Sequence, residues 1–174
     1  MLNIFITNLG KYNEGELVGE WLKLPVSEEE FKAAKKRIGI NEHYEEYFIS
    51  DYECSIDNFK VEEYEYIDFL NEVAEAIENM TEDEQLAFDA MLEAGYDFHE
   101  SMEKLSGGEY TIYNDCKDMT DVAYEVVESC RYLDNVPEAV ARYFDYEAFG
   151  RDLMLEGYNH YIFVSSGDCV EINA

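Results

Sequence analysis

Between Lys60 and Lys104 the chain carries fifteen carboxylates and no basic side chain. They are Glu62, Glu63, Glu65, Asp68, Glu72, Glu75, Glu78, Glu82, Asp83, Glu84, Asp89, Glu93, Asp97, Glu100 and Glu103. Carboxylates in this number could serve acid–base catalysis, chelate a divalent cation, or stand in for a chain of phosphates. Catalysis needs one pair set apart by its surroundings, and a uniform tract singles out none. Calcium loops of the D-x-D-x-D-G type are missing, and Asp115-Cys116-Lys117-Asp118 does not have their spacing. His99-Glu100 begins like a zinc-protease helix, but Glu103 stands where the second histidine belongs. His43 and His160 are isolated, Gly107-Gly108 lacks the Lys and Ser or Thr of a phosphate loop, and no G-x-S-x-G elbow occurs. The expectation is a protein that is not an enzyme, with no cofactor and no metal.

Imitation of phosphates fits the spacing better. Glu65, Asp68, Glu72, Glu75 and Glu78 advance by three or four residues. On a helix they make one drifting stripe, with carboxylates roughly 5 to 6 Å apart. Like charges at that separation destabilise an isolated helix, and a helix selected for solubility alone would mix signs. A single acidic stripe also suits a plain solvated face. The absence of bases along the whole tract shifts the balance toward imitation. A salt-adapted surface has little support, because Glu outnumbers Asp by 28 to 13.

The whole chain holds 41 acids against 12 bases in 174 residues, a formal charge of -29. By segment the net charge is -5 over residues 1–60, -14 over 61–108 and -10 over 109–174. Asp115, Asp118, Asp121 and Glu125 extend the acidic array into the last segment. Such a chain repels phosphates and anionic membranes, so neither nucleic acid nor membrane is an expected partner. Surfaces built to bind nucleic acid are. Duplex DNA carries one charge per ~1.7 Å of axis, so one chain matches about 50 Å of duplex and a dimer about 100 Å, roughly 30 base pairs.

The elements that must position these groups follow from periodicity and punctuation. LNIFITN (2–8) reads as a strand entering a loop at Asn8-Leu9-Gly10, and ELVGEWLKL as a second strand ending at Pro25. Ser27 with Glu30 forms a capping box for a helix over 27–38 that closes at Gly39. HYEEYFISDYEC returns to strand. Ile67, Leu70, Val73, Ala74 and Ile77 then fall at helical spacing, Thr81 with Glu84 caps a second helix bearing Leu86, Phe88, Met91 and Leu92, and Phe98, Met102 and Leu105 mark a third. After Gly107-Gly108 come a strand at EYTIYN, helices over about 119–132, from Pro137, and over 145–156, and a hairpin turning at Ser166-Gly167-Asp168. The fold class is α+β, in three modules: a sheet with one helix (1–60), an acidic helical module (61–107) and a C-terminal α+β module (108–174).

The four cysteines, Cys54, Cys116, Cys130 and Cys169, lie far apart and read as reduced, mostly buried thiols. The N-terminus lacks a basic region before its short apolar run, and no segment is long and apolar enough to span a membrane. A cytoplasmic location is expected.

ITNLGKYNEGELVGEWLKLP, residues 6–25, resembles the opening signature of the ArdA antirestriction proteins. ISDYE (49–53) and YFDYEAFGRDL (143–153) are similar to later segments of that family, so the resemblance runs along the chain in order. It implies an elongated, three-domain acidic protein that dimerises through its last domain and mimics bent B-form DNA. It further implies carriage on a mobile genetic element and, as partner, the DNA-binding cleft in the methyltransferase core of type I restriction-modification enzymes. Under it, Asn8 to Gly15 is a conformational loop and Trp21 anchors the first core. The tract over 122–140, with Tyr124, Val127 and Tyr132, corresponds in order to the family's dimer contact, although its spacing equally suits an ordinary core helix.

The resulting expectation is an antirestriction protein that competes with DNA and blocks restriction, with modification open to the same block. The alternative is an acidic adaptor or chaperone for another basic DNA-binding protein. An enzyme binding metal through clustered carboxylates is the third and weakest reading, since catalytic motifs are missing.

Overall fold

A computed structural model describes residues 1–173, and the chain divides into two compact units, Met1–Thr81 and Glu82–Ala174. In the first unit, β1 (Leu2–Asn8) is the centre of an antiparallel sheet, with β2 (Gly19–Leu24) on one side and β3 (Tyr47–Cys54) on the other. Alternation sends Leu2, Ile4 and Ile6 of β1 to one face, where Leu22 and Leu24 of β2 join them in the core. Between β1 and β3 the register shifts at Phe5/Ile6, where Phe5 pairs with Asp51 and Ile6 with Ile49. Ser50 is the extra residue of this bulge, and its hydroxyl is 2.6 Å from that of Thr7.

The expected loop after β1 is instead a short helix, α1 (Leu9–Asn13). Asn8 makes the difference: its Oδ1 accepts the Lys11 N–H at 3.0 Å as a helix cap, while its Nδ2 donates to the Ile38 carbonyl at 3.1 Å. One buried amide thus starts α1 and ties it to the end of α2 (Glu28–Arg37). Gly10 is required here by space, since a Cβ would lie 2.4 Å from the Tyr44 ring.

Trp21 does not anchor the core. It is 46% exposed on the opposite face of β2 from Leu22 and Leu24, edge-on to its cross-strand partner Phe5 at 5.4 Å. Ser27 does cap α2 by accepting the Glu30 N–H at 3.2 Å, but the Glu30 carboxylate turns to Arg37 at 2.6 Å. The unit closes with α3 (Ile67–Asn79), which buries Leu70, Val73, Ala74 and Ile77 and packs against β2.

The second unit is also α+β. Its sheet has the order β4-β6-β5, from β4 (Tyr110–Tyr113), β5 (Asn159–Phe163) and β6 (Cys169–Asn173), all antiparallel. Val170 and Ile172 of the central strand pack with Ala87, Ala90 and Met91 of α4 (Glu82–Glu93). Beside it runs α5 (Phe98–Gly107), closed by Gly108 in the left-handed region at φ 65°. The remaining helices are α6 (Met119–Ser129), the one-turn α7 (Glu138–Ala141) after Pro137, and α8 (Tyr146–Leu155). α6 and α8 approach closely at Gly150, where a Cβ would meet the Met119 carbonyl oxygen at 2.2 Å.

Candidate functional site

The acidic tract lies on the helices as its spacing requires. In α3 the apolar residues face the core, and Asp68, Glu72, Glu75 and Glu78 are all exposed on the outside. Burial of that apolar face holds the helix, for no side chain caps its start and no base stands in its last turn. Glu65 precedes the helix; its Oε1 accepts the Tyr66 N–H at 3.2 Å. Base-free in sequence is not wholly base-free in space, because Lys23 of β2 comes within 3.6 Å of Glu78. Asp68, Glu72 and Glu75 have no basic group within 4.0 Å among the described residues.

Glu62 and Glu63, ahead of α3, are exposed. In the second unit Glu82 and Asp83 are exposed, and Glu84 and Asp89 are half-buried. The three acids Glu82, Asp83 and Glu84 occupy the first turn of α4, where the helix dipole favours negative charge. Glu93 is exposed at the end of α4, and Glu103 is exposed in the middle of α5. Asp97 and Glu100 have a local task as well: they form a reciprocal capping box, with Glu100 N–H to Asp97 at 2.9 Å and Asp97 N–H to Glu100 at 3.0 Å.

Further on, Asp118 caps α6 by accepting the N–H groups of Thr120 and Asp121 at 2.8 and 3.1 Å. Asp121 is half-buried and accepts the Lys117 N–H at 2.9 Å. Asp115, in the left-handed region at φ 56°, and Glu125 are exposed. None of the carboxylates expected from sequence is buried.

The tract resembling a dimer contact divides in the fold. Val127 is buried in the second unit, while Tyr124 and Tyr132 are 52% and 55% exposed. Tyr124 stacks on Tyr146 at 3.7 Å, and Tyr132 meets Phe149 edge-on at 6.0 Å. Val140, Tyr143, Met154, Leu155 and Tyr158 are exposed apolar residues of the same unit.

Two features have no clear trace in the sequence. Glu171 of β6 accepts hydrogen bonds from Tyr113 at 2.6 Å, Asn159 at 2.6 Å and Tyr161 at 2.8 Å. Burial first, and then the Glu171 carboxylate, push the Tyr113 and Tyr161 hydroxyls well above the ordinary tyrosine value. Burial also pushes the Cys169 thiol up to about 12. In the first unit two adjoining clefts of about 460 and 320 Å³ share Tyr47, Tyr64 and Glu65. These residues come from separate segments, so only folding brings them together.

None of the four cysteines is in a disulfide among the described residues; Cys116 and Cys169 are buried, Cys54 half-buried and Cys130 exposed. Among the described residues, no three His, Cys, Asp or Glu side chains are grouped to hold a metal ion. No helix of the described residues is long and apolar enough to cross a membrane. The family described as antirestriction protein (ArdA) matches residues 4–167 of the 174. No curated protein matches the chain.

Proposed function

Because the chain belongs to the ArdA family of antirestriction proteins, we propose that it blocks restriction by presenting carboxylates where a restriction enzyme expects phosphates. The target in this reading is the DNA-binding cleft in the methyltransferase core of a type I restriction-modification enzyme. One observation carries it: Asp68, Glu72 and Glu75 stand exposed along α3 with no basic partner within 4.0 Å among the described residues. A helix that leaves such a row uncompensated keeps it free for cations supplied from outside. Lysines and arginines of a DNA-binding cleft are such cations, and docking would release the anions condensed on them.

The chain acts in the cytoplasm as a homodimer, without binding nucleic acid itself. Its three modules, 1–60, 61–107 and 108–174, divide the work: the central one supplies the densest array and the last one the dimer contact. The exposed Tyr124 and Tyr132 are the surface part of that contact. Carboxylates of Asp97, Glu100 and Asp118 combine two roles, since a capping carboxylate keeps its charge while it fixes the helix end. Catalysis plays no part.

Sedimentation velocity of the chain alone, and with a purified type I methyltransferase core, tests the partner and the dimer together. The expected result is a dimer that co-sediments with the methyltransferase at low salt and separates at high salt. A chain that never co-sediments with it contradicts the proposal.

A further inference from the structure

We propose that the paired clefts of the first unit form an arginine-binding subsite for guanidinium side chains of a basic protein partner. Their walls come from the start of α2, the start of β3, residues 64–66 and the first turn of α3. The combination of groups is what selects a planar cation. Phe31, Tyr47, Tyr64 and Tyr66 supply rings, and Glu45, Glu46 and Asp68 supply carboxylates without a basic group within 4.0 Å among the described residues. Among the described residues no basic side chain lines either cleft, and Lys35 stands beside them.

Two of these rings already hold a cation of the chain itself. The Lys35 ammonium lies 4.8 Å from the Phe31 ring centre and 5.9 Å from that of Tyr47. Tyr64 and Tyr66 line the clefts with 64% and 79% of their surface in water. Large aromatics left open beside carboxylates suit a ligand that stacks and carries positive charge. A nucleobase would also stack, but its phosphates would enter a field of carboxylates and be repelled.

The frame is fixed. Asn71 of α3 takes the Val26 N–H at 2.8 Å and donates to the Val26 carbonyl at 2.9 Å, locking the β2–α2 connection to α3. Phe31 and Tyr47 meet edge-on at 5.4 Å. A guanidinium entering the cleft can lie flat on a tyrosine while its N–H groups reach a carboxylate in pairs, which an ammonium cannot do. The subsite therefore distinguishes arginine from lysine, whereas carboxylates imitating phosphates attract both. That the arginine belongs to a restriction enzyme rests on the function proposed above; the chemistry of the cleft does not.

The test titrates the full chain with hexa-arginine and hexa-lysine, which carry equal charge, by calorimetry at fixed ionic strength. The wild type should bind hexa-arginine about fivefold more tightly. The variant Y64S/Y66S keeps every carboxylate and alters exposed residues only; it should lose that preference and bind hexa-lysine as before. E72Q/E75Q, outside the cleft, should weaken both peptides alike. In the wild type, hexa-arginine should also shift the ring resonances of Tyr64 and Tyr66. Equal affinity for the two peptides in the wild type, or a preference that survives in Y64S/Y66S, overturns the subsite. A chain that prefers hexa-arginine yet fails to displace DNA from a type I enzyme keeps the subsite and loses the proposed target.

Discussion

The helices α2 and α3 belong to the same unit and are built on opposite plans. α2 carries Glu28, Glu29 and Glu30 in its first turn and Lys35, Lys36 and Arg37 in its last, as the helix dipole favours. Lys32 reaches back to Glu28, and Arg37 grips both Glu20 and Glu30. Its buried contribution is small: Ala34 alone within its span. α3 buries four apolar side chains and sets its acids in a row without a base of its own. Helix α2 pairs its charges and buries little, whereas α3 is held by its apolar face in spite of its charge. A surface meant for a cationic partner can be carried only by an element of the second kind.

The largest effect should come from removing α3's apolar support. Leu70→Ala, at a fully buried position, should lower unfolding free energy by about 2 to 5 kcal/mol in denaturant titrations. A loss below about 1 kcal/mol would erase the contrast between the helices. On α2, Arg37→Gln should lower the Tm only slightly, because surface ion pairs contribute little even where one guanidinium serves two carboxylates. E72Q/E75Q should do the reverse on α3 and stabilise by a few tenths of a kcal/mol, read as a slightly raised Tm. Opposite signs for these two charge removals are the sharpest form of the comparison.

The smallest effect concerns pH. The Lys32 ammonium, by its hydrogen bond first and its charge second, holds the Glu28 carboxyl below its ordinary value of 4.5. A carboxyl whose value is depressed by folding contributes support above pH 4.5, and that support is lost as pH falls through the lowered folded value. An NMR titration of Glu28 should show the depression in the wild type and its disappearance in Lys32→Gln.

Much of this contrast was legible before folding. The period of Leu70, Val73, Ala74 and Ile77 locates α3 and its outward acids, because both sets obey one 3.6-residue repeat. The punctuation at Gly108 and Pro137 was equally plain, since each residue restricts or frees the backbone by itself. Trp21 departs from the role the resemblance implied because period two puts it with Lys23, away from Leu22 and Leu24. α1 is too short to show a period; it forms because Asn8 caps it through the Lys11 N–H and is itself held to the Ile38 carbonyl. Lys23 beside Glu78, and Tyr47 beside Tyr64, join residues far apart in sequence, which no local pattern encodes.

The central claim, that exposed carboxylates displace DNA from a basic cleft, is tested most directly by competition. Labelled duplex bound to a purified type I enzyme is titrated with the chain across a series of salt concentrations. The account predicts full displacement at low salt, weakening steadily as salt rises, and graded loss as carboxylates of the α3 row are neutralised. Abrupt loss on removing one or two carboxylates would point instead to a small docking patch. Duplex that stays bound at saturating chain, at every salt concentration, would contradict the account.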